Sequence, residues 1–177
     1  PVHVRSPGGG VGSDGIQEAR ELADAGRKVC LVEREPYSCC NMTQFDQTFP
    51  TREFDACILT PRMGSAGAHP NIERLTWSEV EHVSGYVGDF TVNIKQKPRY
   101  IDTELCTGCG ICWEKCPKKV IDTEFEAGVG YRTAVYTPFA QAVPKFPVID
   151  PEACTYFHNG KCRACEKFCP TDAIVFD

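Results

Sequence analysis

The sequence predicts an α+β protein in two parts, a partial α/β segment over residues 1–98 and a small cysteine-rich module over residues 99–177. Two observations lead to this prediction. The first part contains a glycine run followed by a helical pattern and a buried strand, whereas the second contains eight of the chain's 12 cysteines in two related runs. With 42% hydrophobic and 24% charged residues, the chain has the balance of a globular protein.

The first part opens with a helical pattern and a strand. Apolar residues recur at helical spacing between Ile16 and Ala23, and Gly26 supplies a C-terminal stop, so this stretch is predicted to be a helix. Residues 28–32 then form a short, almost wholly apolar run that is typical of a buried strand, and this strand ends at Glu33.

The remainder of the first part predicts a loop and a hairpin. Residues 35–51 contain prolines and no clear period, so we expect a long ordered loop that packs against a ligand. Apolar and polar residues alternate over residues 90–94, and Gly88-Asp89 separates this run from residues 79–86. That pattern predicts a β-hairpin.

The glycine run has the layout of a dinucleotide-binding, Rossmann-like fingerprint. Gly8, Gly10 and Gly15 would let the backbone approach a pyrophosphate at a helix N-terminus, and Glu33 at the end of the next strand would hold a ribose hydroxyl. The spacing departs from the fingerprint, because the glycine that packs the helix appears at position 15 and Ser13 precedes it. A plain glycine-rich turn therefore remains the alternative.

The cysteine-rich module contains two copies of one motif. The first copy is the CxxCxxCxxxCP run of bacterial ferredoxins, in which three thiolates hold one [4Fe-4S] cluster and the fourth binds the other cluster. In the second copy the first gap is stretched from two residues to seven, and the preceding segments Ile101–Leu105 and Ile149–Ala153 are alike, which indicates an internal duplication. The first copy comprises Cys106, Cys109, Cys112 and Cys116, and the second comprises Cys154, Cys162, Cys165 and Cys169.

Crossed ligation divides these eight thiols into two predicted cluster sites. The first site is Cys106, Cys109, Cys112 and Cys169, and the second is Cys154, Cys162, Cys165 and Cys116. Two zinc sites are the alternative, but zinc ligands usually come as separated cysteine pairs. His158, in the stretched gap, is interpreted as a loop histidine rather than a ligand, because four thiolates already complete the second site. The other four cysteines are interpreted as free thiols, with a third cluster as the alternative, and they are Cys30, Cys39, Cys40 and Cys57.

Composition and motifs also exclude several classes of protein. A net charge of -5 argues against a nucleic acid as the main partner, because phosphate binding needs an excess of Lys and Arg. The apolar runs are far shorter than the roughly 20 residues that span a bilayer, and no basic-then-apolar leader opens the chain. We therefore expect a cytoplasmic protein with no membrane span. No HExxH motif or P-loop lysine indicates hydrolysis or phosphoryl transfer.

Taken together, these features resemble the A subunit of heterodisulfide reductase, an iron-sulfur flavoprotein of methanogens and related anaerobes. The resemblance covers nearly the whole chain but an internal part of a much longer subunit, so we expect this chain to be a piece of a longer protein. Besides the stretched second cysteine unit, it rests on Leu22–Gly26, Leu31–Glu35, Thr48–Thr51, Ala56–Pro61, Val83–Gly88, Lys97–Tyr100 and Gln141–Pro144.

The resemblance implies the start of an FAD domain into which a two-cluster ferredoxin is inserted, with the role of an oxidoreductase subunit in flavin-based electron bifurcation. It implies FAD contacts from Gly8, Gly10, Gly15, Glu33 and Arg34. The implied partners are the other heterodisulfide reductase subunits, a hydrogenase or formate dehydrogenase module, and ferredoxin, in an oligomeric complex of methanogenesis.

Two departures from the family pattern concern the cofactors. Cys39-Cys40-Asn41-Met42 stands where the family has Gly-Gly-His-Met facing the flavin, and Phe54 replaces a cysteine expected to bind an additional cluster. Without the two glycines, the backbone cannot approach a flavin as closely. The sequence therefore predicts weak or absent FAD binding by this chain alone. The alternative function is a ferredoxin-like electron carrier whose N-terminal part serves only for docking.

Overall fold

A computed structural model describes residues 2–4, 12–38, 41–47, 49–50 and 52–176 of the chain. Gly8, Gly10, Cys39 and Cys40 lie outside the described residues. The chain divides into two compact units, Pro1–Pro98 and Arg99–Asp177. Within the described ranges, no helix is long and apolar enough to cross a membrane.

A three-stranded parallel sheet in the order β1-β2-β3 forms the centre of the first unit. Parallel neighbours need crossover connections, and here helix α1 follows β1 while a 3-10 helix and helix α2 follow β2. The elements are β1 (Val2–Val4), α1 (Ser13–Asp24), β2 (Val29–Val32), the 3-10 helix (Asn41–Gln44), α2 (Asp55–Ala68) and β3 (Ile72–Leu75).

The predicted helix and strand of this unit are confirmed. Ile16, Ala19 and Ala23 form the buried face of α1, which contacts all three strands. The helix ends before Gly26, whose φ of +79° is the left-handed conformation that glycine adopts most easily. All four residues of β2 are buried, as expected for a strand with a parallel neighbour on each side.

The flavin-binding part of the predicted fold class is corrected by the structure. The parallel α/β arrangement is present, but the described residues do not display a Rossmann FAD-binding segment. The sheet has three strands among these residues, and most of the glycine run that would form the phosphate-binding loop lies outside them.

The predicted hairpin is also confirmed. Strand β4 (Ser78–Tyr86) pairs antiparallel with β5 (Asp89–Gln96), and Val87-Gly88 forms the turn between them. Most residues of the hairpin are exposed, including Tyr86 and Phe90 at its tip. Between β2 and α2, the described residues are irregular apart from the short 3-10 helix, in agreement with the predicted loop.

The second unit consists of short strand pairs and single-turn helices. Strands β6 and β7 form one antiparallel pair, β8 and β9 form another, and Ile101 bridges to Ile174. The elements are α3 (Ile111–Glu114), β6 (Lys119–Asp122), β7 (Gly130–Thr133), β8 (Val135–Tyr136), β9 (Val148–Ile149), α4 (Thr155–Asn159) and α5 (Ala164–Lys167).

The internal duplication is visible in the hydrogen bonds that precede each cysteine motif. Asp102 Oδ1 accepts from the N–H groups of residues 104 and 105, and Asp150 Oδ1 accepts from those of residues 152 and 153. The N–H of Cys106 then donates to Asp102 O at 3.0 Å, and that of Cys154 donates to Asp150 O at 2.9 Å. Each aspartate thus fixes the turn that presents the first thiol of its motif.

Candidate metal centre

Residues of the first cysteine motif line an open recess. Three thiols of the first motif line the recess together with Cys169 of the second motif. The structure therefore brings together the four residues that the sequence assigns to one cluster, and they are Cys106, Cys109, Cys112 and Cys169.

Two glycines shape the backbone of the loop that forms this recess. Gly108 has a φ of +67° and Gly110 a φ of +92°, so both occupy the left-handed region. A Cβ atom on Gly108 would lie 2.6 Å from the carbonyl oxygen of Lys145, so the segment Lys145–Pro147 passes directly over the loop. The left-handed backbone and the close approach of the Lys145 carbonyl oxygen leave no room for a side chain at position 108.

The second predicted set of thiols is also close together. The pKa of Cys165 is raised to about 11, first by burial and then, against the lowering effect of the Glu166 N–H, by the charges of three neighbouring thiols, those of Cys154, Cys116 and Cys162. Cys116, from the first motif, therefore stands with three thiols of the second motif. This arrangement is the reciprocal of the recess, where Cys169 stands with the first motif.

The two sets are neighbours within the unit. The pKa of Cys112 is raised to about 12, mainly by burial; the Trp113 N–H lowers it, and the charges of Cys106 and Cys165 are among those that raise it. Helices α3 and α5, which contain Cys112 and Cys165, contact each other. Three of the eight thiols, Cys112, Cys154 and Cys165, belong to the apolar core of the unit beside Ile101 and Ile149.

Backbone N–H groups point at the sulfur atoms that line the recess. The N–H of Gly108 donates to Cys106 Sγ at 3.4 Å, and that of Ala173 donates to Cys169 Sγ at 3.3 Å. Although burial acts to raise it, hydrogen bonds from Thr171 and Ala173 lower the pKa of Cys169 below its ordinary value. Such donors stabilise a thiolate, which is the form that binds iron.

The donor set fits an iron-sulfur cluster better than a single metal ion. In a zinc site, four sulfurs converge on one ion at about 2.3 Å. Among the described residues, no group of three or more His, Cys, Asp or Glu side chains converges on one metal-ion position. The thiols instead surround a cavity, which is the arrangement that a four-iron cluster with four cysteine ligands requires.

The remaining candidate metal ligands lie apart from these sets. His158 is exposed, and its Nε2 is 2.6 Å from the carbonyl oxygen of Glu152. Cys30 is a buried free thiol in β2, and Cys57 is an exposed free thiol in α2. Cys39 and Cys40 lie outside the described residues, so the interpretation of all four cysteines as free thiols, with a third cluster as the alternative, stays a prediction.

The described residues that were assigned to FAD have other contacts within the chain. Gly15 is buried in the first turn of α1. The side chain of Glu33 is buried at the end of β2, where its Oε1 accepts from the N–H of Glu35 at 3.0 Å. Arg34 is half exposed and lies 3.7 Å from Glu79 Oε1. Gly8 and Gly10 lie outside the described residues.

Sequence reasoning missed several residues around the recess. Arg99, the segment Lys145–Pro147, and the Thr171 and Ala173 N–H groups all adjoin it or its thiols. None belongs to the cysteine motifs, so spacing along the chain carried no signal for most of them. Pro170 was the available signal for the last two, because it turns the chain back towards Cys169.

Comparison with known proteins finds matches among iron-sulfur proteins. Residues 99–122 match the family described as 4Fe-4S binding domain. Over 170 residues, the chain is 47% identical to the iron-sulfur A subunit of the CoB–CoM heterodisulfide reductase of Methanocaldococcus jannaschii. It is equally similar to the A subunit of the H(2):CoB-CoM heterodisulfide,ferredoxin reductase of Methanothermobacter marburgensis. It is also 46% identical, over 181 residues, to a protein of Archaeoglobus profundus that is named as similar to the A subunit of heterodisulfide reductase.

These alignments cover nearly all of this chain but only a part of each relative. The first two include 96% of this chain but 25% of each relative, and the third includes 94% of this chain and 26% of the relative. The chain thus spans about a quarter of the length of the proteins that it matches. The comparisons confirm the resemblance and the presence of a 4Fe-4S binding domain.

Proposed function

The chain is homologous to part of the A subunit of heterodisulfide reductase, and we propose that it conducts electrons through two [4Fe-4S] clusters held by eight of its cysteines. The observation that carries this proposal is the exchange of the fourth cysteine between the two motifs. Cys169 lines the recess of the first motif, and Cys116 adjoins the thiols of the second. Two-cluster ferredoxins bind their clusters in this crossed manner.

Bound clusters would supply one-electron chemistry, and the residues of the chain would hold them and adjust their potential. The recess would place one cluster among Cys106, Cys109, Cys112 and Cys169. The N–H groups that donate to Cys106 and Cys169 would favour the more negative, reduced state. Apolar residues such as Ile101 and Ile174 line the recess and keep water from its inner wall.

We further propose that the chain serves as part of an oxidoreductase within a larger assembly. The names of its relatives mention heterodisulfide and ferredoxin as reactants, and the chain corresponds to a quarter of their length. Other heterodisulfide reductase subunits are therefore the proposed partners, together with the hydrogenase or formate dehydrogenase module that the family implies. The described cysteines are all free thiols, which suits a reducing compartment such as the cytoplasm.

FAD is proposed as the electron partner in the parent protein. The parallel strands with α1 between β1 and β2 support this proposal, because dinucleotide-binding domains begin with such a unit. The burial of Glu33 and its hydrogen bond to the Glu35 N–H weigh against a ready ribose site in this chain by itself.

The proposal is tested by iron and acid-labile sulfide analysis of the whole chain after anaerobic reconstitution. We expect about eight iron atoms per chain, since each of two clusters contains four. The visible absorption should bleach when dithionite is added and return on reoxidation. Cys57→Ser is the matched control, because Cys57 is an exposed free thiol outside both sets and its loss should leave the iron content unchanged.

Two results would contradict this function. Stoichiometric zinc in place of iron would indicate a structural metal domain, and about four irons would leave one of the two sets without a cluster. An absorption band of bound flavin would distinguish the flavoprotein from the ferredoxin-like carrier that docks through its first unit.

A further inference from the structure

Arg99 ties together the chain segments beside the cysteine recess. Its Nη1 donates to the carbonyl oxygen of Phe146 at 2.9 Å and lies 3.5 Å from that of Pro147. Pro147 is fully buried and lines the recess. The backbone oxygen of Arg99 accepts from the N–H of Ile149 at 3.2 Å. Both the side chain and the backbone of Arg99 are thus fixed against the wall of the recess.

The guanidinium of Arg99 keeps its charge in this position. Burial lowers the pKa of Arg99 to about 10, and the charges of Tyr136 and Cys106 oppose this shift. A group with that pKa remains protonated at neutral pH.

On the basis of the function proposed above, we propose that Arg99 raises the reduction potential of the cluster in the recess above that of the cluster at the second site. Reduction adds one negative charge to a cluster and its thiolates. A fixed cation in a poorly solvated position stabilises that added charge more than an exposed cation would. Arg99 is such a cation, since its bonds to the carbonyl oxygens of residues 146 and 147 hold it against Pro147, which lines the recess.

The duplication places no arginine at the equivalent position of the second site. When Ile101 is aligned with Ile149, the position equivalent to Arg99 is occupied by Pro147, which carries no charge. Arg163 belongs to the second motif, but its side chain is 52% exposed and its guanidinium pairs with the carboxylate of Glu166. Water and this carboxylate therefore screen its charge.

One acidic group acts in the opposite direction at the recess. The charge of Asp172 raises the pKa of Cys169, although hydrogen bonds to the same sulfur outweigh it. Asp172 is exposed, so solvent weakens its effect, whereas Arg99 is held at the recess wall by main-chain carbonyls. The balance of charge at the recess therefore favours the reduced state.

The consequence is a direction for electron movement within this unit. An electron that has reduced the second site would pass to the recess: the second site is then reoxidised by one electron and the recess is reduced by one, with no proton required. The electron would then reside mainly at the recess. Cys109 of the recess is exposed, so a partner that takes the electron can approach there.

The test compares Arg99→Gln with Arg99→Lys in the full reconstituted chain. Both side chains can donate to the carbonyl oxygens of residues 146 and 147, but only lysine keeps the positive charge. The potentials are read from a redox titration followed by electron paramagnetic resonance, and the signal that disappears in Cys109→Ser is assigned to the recess. Arg132→Gln is the matched control, because Arg132 is also largely buried in this unit but pairs with Asp150 at 2.8 Å.

We expect Arg99→Gln to shift the electron distribution away from the recess about tenfold, which corresponds to about 59 mV for a one-electron couple. Arg99→Lys and Arg132→Gln should leave the recess potential close to that of the wild type. An unchanged potential in Arg99→Gln, or an equal fall in Arg132→Gln, overturns the proposal. If Arg99→Gln and Arg99→Met both lose the recess cluster, the role of Arg99 is structural and the proposal is likewise wrong. The electron paramagnetic resonance signals of the reconstituted wild-type chain test the proposed function separately, because they show whether clusters are bound at all.

Discussion

Cys116 and Cys169 each close a cysteine motif and precede a proline, yet each stands with the thiols of the other motif. We expect Cys116→Ala to remove the cluster of the second site and to spare that of the recess. Cys169→Ala should do the reverse, because it removes the fourth ligand of the recess. In each variant, iron should fall from about eight to about four atoms per chain.

The two variants serve as each other's control. Electron paramagnetic resonance of the reduced proteins should show a different surviving signal in each. If Cys116→Ala loses the recess signal and keeps that of the second site, ligation is local to each motif and the crossed assignment is wrong.

Gly108 has a left-handed backbone and also lies close to the carbonyl oxygen of Lys145. The effects of these two features on stability can be measured separately. Gly108→Ala should lower the free energy of unfolding by about 2 to 4 kcal/mol, because its Cβ would overlap the carbonyl oxygen of Lys145. Gly128 also has a positive φ, +85°, but a Cβ there would meet nothing within 4 Å. Gly128→Ala should therefore cost about 1 kcal/mol.

Urea unfolding under anaerobic conditions measures this difference. If Gly108→Ala lowers the free energy of unfolding no more than Gly128→Ala does, residues 145–147 can shift easily to make room for the added Cβ. The close approach over the cysteine loop would then contribute little to the shape of the recess.

The residues in the stretched gap of the second motif form helix α4. The additional residues make one helical turn that ends at Gly160, and Phe157 of this turn packs against Tyr100 with ring centroids 4.6 Å apart. Tyr156 lies over Phe176, with ring centroids 4.1 Å apart. The insertion thus covers the core with aromatic rings rather than adding a ligand.

We expect Phe157→Ala to lower the free energy of unfolding by about 1 to 3 kcal/mol, less than the loss of a fully buried phenylalanine, because the ring is partly exposed. Urea unfolding would measure the loss. His158→Ala is the neighbouring control, since its exposed ring should contribute within about 0.5 kcal/mol and its loss should leave the iron content intact. Loss of iron in His158→Ala would make this histidine a ligand.

The described residues of the first unit bear on flavin binding through their parallel sheet and Glu33. We expect the isolated chain to bind FAD weakly or not at all, because three parallel strands provide part of a dinucleotide cleft and the Glu33 carboxylate already accepts a hydrogen bond. Quenching of flavin fluorescence on titration with the protein measures the affinity. Submicromolar binding would contradict this prediction and support an intact flavin site.

Much of the architecture could be read from local patterns. Helix α1, strand β2 and the β4–β5 hairpin were predictable because side-chain periodicity and glycine stops act over a few residues. The grouping of thiols also followed from spacing, since the ferredoxin run has one established ligation pattern. In contrast, α2 has Pro61 in its interior, so no local pattern predicted this helix.

The surroundings of the thiols depend on contacts between distant residues. Arg99 meets Phe146 across 47 positions of the chain, and the pairing of β8 with β9 places Ile149 where it bonds to Arg99. Glu33 has the position of a ribose ligand in the sequence, but folding buries its side chain and directs an oxygen to the Glu35 N–H. Amino-acid spacing therefore predicted which thiols stand together, because three of the four thiols of each set belong to one motif. The charge and hydrogen bonds around those thiols arise only when remote segments pack, since electrostatic interactions depend on distance in space and on burial.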